Sequence, residues 1–202
     1  MAEAPDATSH EPTTWAERWV GALIEPTRAD GPIRLADYDP SWPLLYEREA
    51  ARIRSLLGDR VRLLEHVGST SIPGIAAKPI IDIDLGVPDS ADEPAYVPDL
   101  QAGGYVLRAR EPDWFEHRLF NGPDTKINLH VFAAGSTEVD RMLAFRDYLR
   151  ADEGERLLYE ATKRELAARD WVYVQDYADA KTEIVEAIIT RALAAREQAD
   201  PR

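Results

Sequence analysis

The chain contains no cysteine. That excludes disulfides, thiolate catalysis and cysteine-ligated zinc, and it leaves the redox compartment undetermined. Long apolar runs are also missing: nothing approaches the ~18 residues that a membrane-spanning helix needs. The N-terminal stretch "MAEAPDATSHEPTT" has neither a basic nor an apolar segment, so no signal peptide is expected and cytoplasm is the default location. Positive charge is in short supply: 24 Lys and Arg against 37 Asp and Glu leave a net charge of -13. Proteins that grip nucleic-acid phosphates usually present a basic face, and none is visible here. The charge balance argues against long nucleic acids as partners but is compatible with a local basic pocket for a small phosphorylated ligand.

What is present is an ordinary globular composition. The 202 residues, 45% hydrophobic, suffice for one domain with a sizeable core. The polar start is followed by "TTWAERWVGALIEP", which predicts a short helix with Thr14 and Glu17 as a capping box and Trp15 and Trp19 on one face. "IRLADYDP" predicts a short strand. "SWPLLYEREAARIRSLLGD" predicts a helix capped by Ser41, with an inner stripe of Leu44, Leu45, Ile53, Leu56 and Leu57, closed by Gly58. Strands are expected in "RVRLLEHVG", "KPIIDIDLGV", "YVLRARE", "WFEHRLFN" and "TKINLHVFA", with a helix before the third of these. From Ser136 onward the pattern is helical: "TEVDRMLAFRDYLRA", "EGERLLYEATKRELAAR" and "DYADAKTEIVEAIITRALAAR". This order predicts an α+β, or mixed α/β, fold: a small mixed sheet covered by helices, with a helical C-terminal region.

Chemistry concentrates in "EHVGSTSIPGIAAKPIIDIDLGV", residues 65–87. Side chains alternate along a strand, so Asp82 and Asp84 face one way, ~7 Å apart, and Ile81, Ile83 and Leu85 face the other. Two neighbouring carboxylates repel, and burying them is costly without a cation. Mg²⁺, which takes oxygen ligands and substrate phosphate, would relieve the conflict; a solvated strand face is the plainer alternative. Five residues separate Gly68 from Gly74, and Lys78 follows four later, so this is not a P-loop. It still offers a glycine turn, the hydroxyls of Ser69, Thr70 and Ser71, and backbone N–H groups suited to phosphate. Lys78 adds a charge between the turn and the aspartates.

In "KINLHVF", Asn128 and His130 share the polar face and would sit beside Asp82 and Asp84 if the two strands are neighbours. His66, His117 and His130 lie in this half of the chain, each either structural or a base or ligand. Arg118 is a phosphate-binding candidate on "WFEHRLF", where surface charge is the better reading of Arg110. Tyr159/Lys163 and Tyr177/Lys181 are i,i+4 pairs that read as helix-surface pairs. Lys181 is the more interesting, since it could be drawn toward the carboxylates.

"IRLADYDPSWPLLYERE", the long central motif, "NLHVF", "FRDYLR" and the tyrosine–lysine helices together resemble the GrpB family, also called UPF0157, over roughly residues 33–195. That divides the chain into an N-terminal extension, 1–30, and a GrpB-like domain, 31–198. The family also occurs as an appended domain on some bacterial dephospho-CoA kinases and is assigned to the nucleotidyltransferase superfamily. The resemblance implies a nucleotidyltransferase-like core. In it, Gly68 and Ser69 hold a nucleotide's phosphates, and Thr70, Lys78, Arg118 and Lys181, read from the residues themselves, are the further phosphate-binding candidates. Asp82 and Asp84 hold divalent metal, Mg²⁺ or Mn²⁺. The implied reaction moves a nucleoside monophosphate from a nucleoside triphosphate to a small-molecule or protein acceptor. One feature departs from the superfamily: "KINLHVF" lacks a third carboxylate, so His130 is the candidate base. The alternative is an inactive module that binds a nucleotide or CoA-like ligand. Monomer and homodimer both fit.

Overall fold

The computed structural model describes residues 28–29 and 31–199. The predicted helix bearing Trp15 and Trp19 lies outside the described residues. Helix α1 (Trp42–Leu57) is followed by strand β1 (Leu63–Val67), the Ser69–Ser71 turn of 3-10 helix and strand β2 (Ile81–Val87). Helix α2 (Val97–Ala102), the hairpin β3 (Val106–Glu111) and β4 (His117–Asn121), and β5 (Ile127–Ala133) come next. Four helices close the chain: α3 (Thr137–Ala151), α4 (Glu153–Ala167), α5 (Val174–Asp179) and α6 (Thr182–Ala199). No helix among the described residues is long and apolar enough to cross a membrane.

The five strands run in the order β1-β2-β5-β4-β3. Only β2 and β5 pair in parallel; the other neighbours are antiparallel. This is the expected α+β architecture with a small mixed sheet. One sheet face carries Leu64, Ile81, Ile83, Leu85, Phe120, Ile127, Leu129 and Val131, buried against Trp42, Ala50, Ile53 and Leu57 of α1 and Val97 and Leu100 of α2. Full burial of each such aliphatic side chain contributes ~1.5–3 kcal/mol, so this face dominates the core. A second cluster joins Ile72 and Ile75 of the glycine loop to Phe145, Leu149, Tyr159, Ile188 and Ile189 of the C-terminal helices. The loop after β1 is thereby fixed to the helical layer.

Five local expectations are corrected. "IRLADYDP" forms no strand: it makes the single bridge Ala36–Ala77, because its partner is the loop before β2 and not the sheet edge. Leu44 is 71% exposed, since the inner face of α1 runs through Trp42, Glu49, Ala50, Ile53 and Leu57. Ser41 makes no side-chain cap; its own N–H donates to Asp39 Oδ1 at 2.8 Å. "WFEH" is a turn, with Phe115 and Glu116 at φ 54° and 50°, and the strand begins at His117. The last predicted helix also breaks, at Ala180–Lys181, into α5 and α6.

Candidate functional site

A cleft of about 370 Å³ opens on the sheet face opposite α1, between β1, β2 and β5 and the helices α3 to α6. Parallel pairing sets Asp82 opposite Asn128 and Asp84 opposite His130, so these four polar side chains share that face. Asn128 Nδ2 donates to Asp82 Oδ1 at 2.8 Å, and His130 Nε2 stands 4.0 Å from the same oxygen. Burial works against the charge on Asp82, but His130, Asn128 and Lys78 outweigh it and hold the carboxyl below its usual range. Asp84 is fully buried, and neither of its oxygens has a hydrogen-bond partner. Burial, aided by the charges of Asp82 and Glu138 against that of His130, pushes its carboxyl up to about 7.

Gly68 lies directly against Asp82. Its φ is +65°, and a Cβ there would stand 2.3 Å from Asp82 Oδ2. The turn is held from within: Ser71 Oγ donates to the Gly68 carbonyl at 2.6 Å, and Thr70 Oγ1 donates to the Ile80 carbonyl at 3.2 Å. Thr70 Oγ1 also meets His66 Nε2 at 3.0 Å. Thr70 gives its one hydroxyl proton to Ile80 and accepts from the His66 ring, so it links β1 to the residue before β2, although it lines the cleft as expected. Ser69 Oγ is 3.3 Å from the Tyr159 hydroxyl.

The cationic wall is built from lysine. The sequence has four lysines, and Lys78, Lys163 and Lys181 all line this cleft, while Lys126 is exposed elsewhere. Lys78 Nζ and Lys181 Nζ lie 5.6 and 4.7 Å from the Tyr177 ring centroid. No carboxylate among the described residues lies within 4.0 Å of either ammonium. Burial, then the charge of Lys181, pushes Lys78 down to about 8, and burial lowers Lys181 as well. Lys163, 1% exposed, donates to the Ala76 carbonyl and lies 4.6 Å from the Tyr159 ring; burial and Lys181 push it down to about 7. The Tyr177 hydroxyl is buried without a hydrogen-bond partner.

Two site residues were not legible in the sequence. Lys163 reads as a helix-surface residue because the docking of α4 is tertiary; the repeated tyrosine–lysine spacing was the only signal. Glu138, the second residue of α3, also lines the cleft, and burial raises its carboxyl despite Arg141 at 3.1 Å.

Arg118 is a correction. It pairs with Val131, which places it on the core face, and its guanidinium reaches Glu93 at 2.7 Å and Glu116 at 3.2 Å. It is a structural clamp shared with Arg110, which also binds Glu93. His66 likewise sits on the far face, stacked 5.1 Å from Tyr46. His117 instead joins the site side: its Nε2 is 3.0 Å from His130 Nδ1 and its Nδ1 2.7 Å from Glu111 Oε2. Burial pushes His117 down to about 4 despite Glu111.

Among the described residues, no three His, Asp or Glu side chains converge as a complete metal cage. A cation nevertheless fits the chemistry of the floor. Asp84 holds two buried oxygens with no hydrogen-bond donor, Asp82 stands beside it, and the Gly68 cradle keeps the space over Asp82 Oδ2 free of side chain.

Comparison with known proteins shows the family and the fold. The family model described as GrpB protein matches residues 32–191. A UPF0157 protein of Halalkalibacterium halodurans is 55% identical over 95% of this chain and 98% of its own. A UPF0157 protein of Streptomyces coelicolor is 47% identical over 81% of this chain and 86% of its own. The crystal structure of the conserved protein GrpB from Enterococcus faecalis superposes with a TM-score of 0.70 at 28% identity, covering 81% of this chain and 99% of that one. With its family match, these relatives and this fold, the chain belongs to the GrpB family, UPF0157.

Proposed function

We propose that the cleft binds a nucleoside triphosphate with a divalent ion and transfers its nucleoside monophosphate to a small-molecule or protein acceptor. One observation carries this reading. In a chain of net charge -13 with four lysines, three lysines meet over the same cleft as Asp82 and the Gly68–Ser69 turn, and Asp84 is buried two residues further along the same strand face. One buried and two half-buried lysines without carboxylate partners favour a polyanionic ligand, and a buried carboxylate beside a half-buried one favours a cation; a metal-bound triphosphate satisfies both.

In this reading Lys78, Lys181 and Lys163 neutralise the phosphate chain, and Ser69 with the backbone at Gly68 positions it. Asn128 orients Asp82. Asp82 and Asp84 would hold Mg²⁺ or Mn²⁺, which supplies Lewis-acid charge to phosphoryl oxygens. The acceptor oxygen attacks the α-phosphorus, the bond from that phosphorus to the bridging oxygen breaks, and pyrophosphate leaves with the electron pair. We assign the acceptor's proton to Glu138 and not to His130, because His130 turns Nε2 toward Asp82.

The test is pyrophosphate release from each of the four nucleoside triphosphates, across a panel of hydroxyl and amine acceptors. Release that is lost in Asp82→Asn and Asp84→Asn supports the transferase. Tight binding with no release across the panel replaces it with the binding-module reading. Equal release in the variants contradicts the site.

A further inference from the structure

The sheet surface beside the cleft carries a hydrogen-bonded row that phosphate binding does not need: Glu111 on β3, His117 on β4 and His130 on β5. Its bonds fix which atoms carry hydrogen. A carboxylate only accepts, so the 2.7 Å contact to Glu111 Oε2 places a proton on His117 Nδ1. A neutral, 2% exposed His117 then has its lone pair on Nε2, and the 3.0 Å contact requires His130 Nδ1 to donate. The other ring nitrogen of His130, Nε2, is thereby presented to the cleft.

That nitrogen stops 4.0 Å from Asp82 Oδ1. The separation is too long for a hydrogen bond. It is within reach of a shared ion: nitrogen and oxygen ligands at ~2.0–2.2 Å from one metal stand at most ~4.3 Å apart. A metal-binding histidine also almost always donates its second ring N–H to a fixed acceptor. His130 does so to His117, and Glu111 anchors His117 in turn.

We propose that His130 Nε2 and Asp82 Oδ1 ligate the divalent ion together, making this a mixed nitrogen–oxygen site that selects Mn²⁺ over Mg²⁺. The inference rests on the metal-dependent reading above and names the ion and one of its ligands. Mg²⁺ is a hard, all-oxygen ion, whereas Mn²⁺, the first of the first-row series in affinity order, accepts oxygen ligands and one imidazole beside them. With few protein ligands, the remaining positions fall to phosphate oxygens and water, so the ion binds more tightly with nucleotide than alone. Glu111 and His117 are positioning residues that act through His130.

The experiment is pulsed electron paramagnetic resonance of the full chain loaded with Mn²⁺, alone and with ATP, beside calorimetric titration of Mn²⁺ and Mg²⁺. The expected spectrum shows nitrogen-14 coupling from one imidazole, lost in His130→Asn. Mn²⁺ should bind more tightly than Mg²⁺. His117→Phe should retain the coupling but weaken Mn²⁺ binding ~10–100-fold. Circular dichroism of both variants checks that they fold, and the wild-type spectrum decides the matter whether or not they do. Mn²⁺ bound without nitrogen coupling, or with coupling that survives His130→Asn, overturns the ligand assignment and leaves the nucleotide reading intact. No binding of either ion, with or without ATP, overturns both.

Discussion

Gly68 and Asp82 meet at the floor of the cleft: a side chain on the glycine would stand 2.3 Å from Asp82 Oδ2. The backbone there also holds φ +65° with ψ -172°, an essentially glycine-only region that costs another residue ~1–3 kcal/mol. Gly68→Ala is therefore predicted to lower stability by ~1–3 kcal/mol and to displace the Asp82 carboxylate. Metal-dependent nucleotide affinity should fall at least ~10-fold, the cost of ~1.4 kcal/mol of lost contact. Thermal melting and calorimetry on the same sample separate the two effects.

Asp84 is held in the fold at a cost. Its carboxyl moves from 3.8 to about 7 on folding, so the folded state binds the proton more tightly. The stability it contributes is present below pH 4 and is lost as pH rises to about 7, a loss of up to ~4 kcal/mol above that point. Asp84→Asn should make the metal-free protein more stable at pH 7.5 while removing the stabilisation that added divalent ion gives the wild type. Melting curves with and without Mn²⁺ check both halves.

The lysine wall predicts a pH dependence near neutrality. An anionic ligand prefers protonated lysines, and Lys163 and Lys78 are held near 7 and 8 in the unliganded protein. Binding of inorganic tripolyphosphate should take up protons and weaken as pH rises from 7 to 9, well below the ordinary lysine range. Titration in buffers of different ionisation enthalpy reads the uptake directly. Lys78→Met and Lys181→Met should each weaken binding ~10-fold or more, and Lys126→Met should not.

Arg118 is predicted to matter for the fold alone. Arg118→Met removes the buried partner of Glu93 and Glu116 and should cost ~1–3 kcal/mol. Nucleotide affinity should be unchanged, because the side chain is on the core face of the sheet. A comparable loss of affinity would return Arg118 to the site.

These residues also mark what a sequence can and cannot disclose. The period of a strand put Asp82 and Asp84 on one face and Ile81, Ile83 and Leu85 on the other, and it paired Asn128 with His130; the observed register agrees. The same period says that His117 and Arg118 face opposite ways, but not which of them faces the cleft. That choice depends on the pairing of Arg118 with Val131, a tertiary fact. Lys163 and Glu138 were hidden for a related reason: each sits on a helix whose docking over the sheet has no local signature. Lys181 was legible only as a charge in an acidic helix, because the break between α5 and α6 that accompanies its approach to the cleft interrupts an unbroken helical pattern.

The most direct measurement is calorimetric titration of ATP, GTP, CTP and UTP, with and without Mg²⁺ or Mn²⁺, into the wild type and Asp82→Asn. Saturable binding of at least one nucleotide is predicted, strengthened by the ion in the wild type and not in the variant. Absence of binding for all four, or identical ion-dependent binding in Asp82→Asn, would contradict a metal–nucleotide site in this cleft.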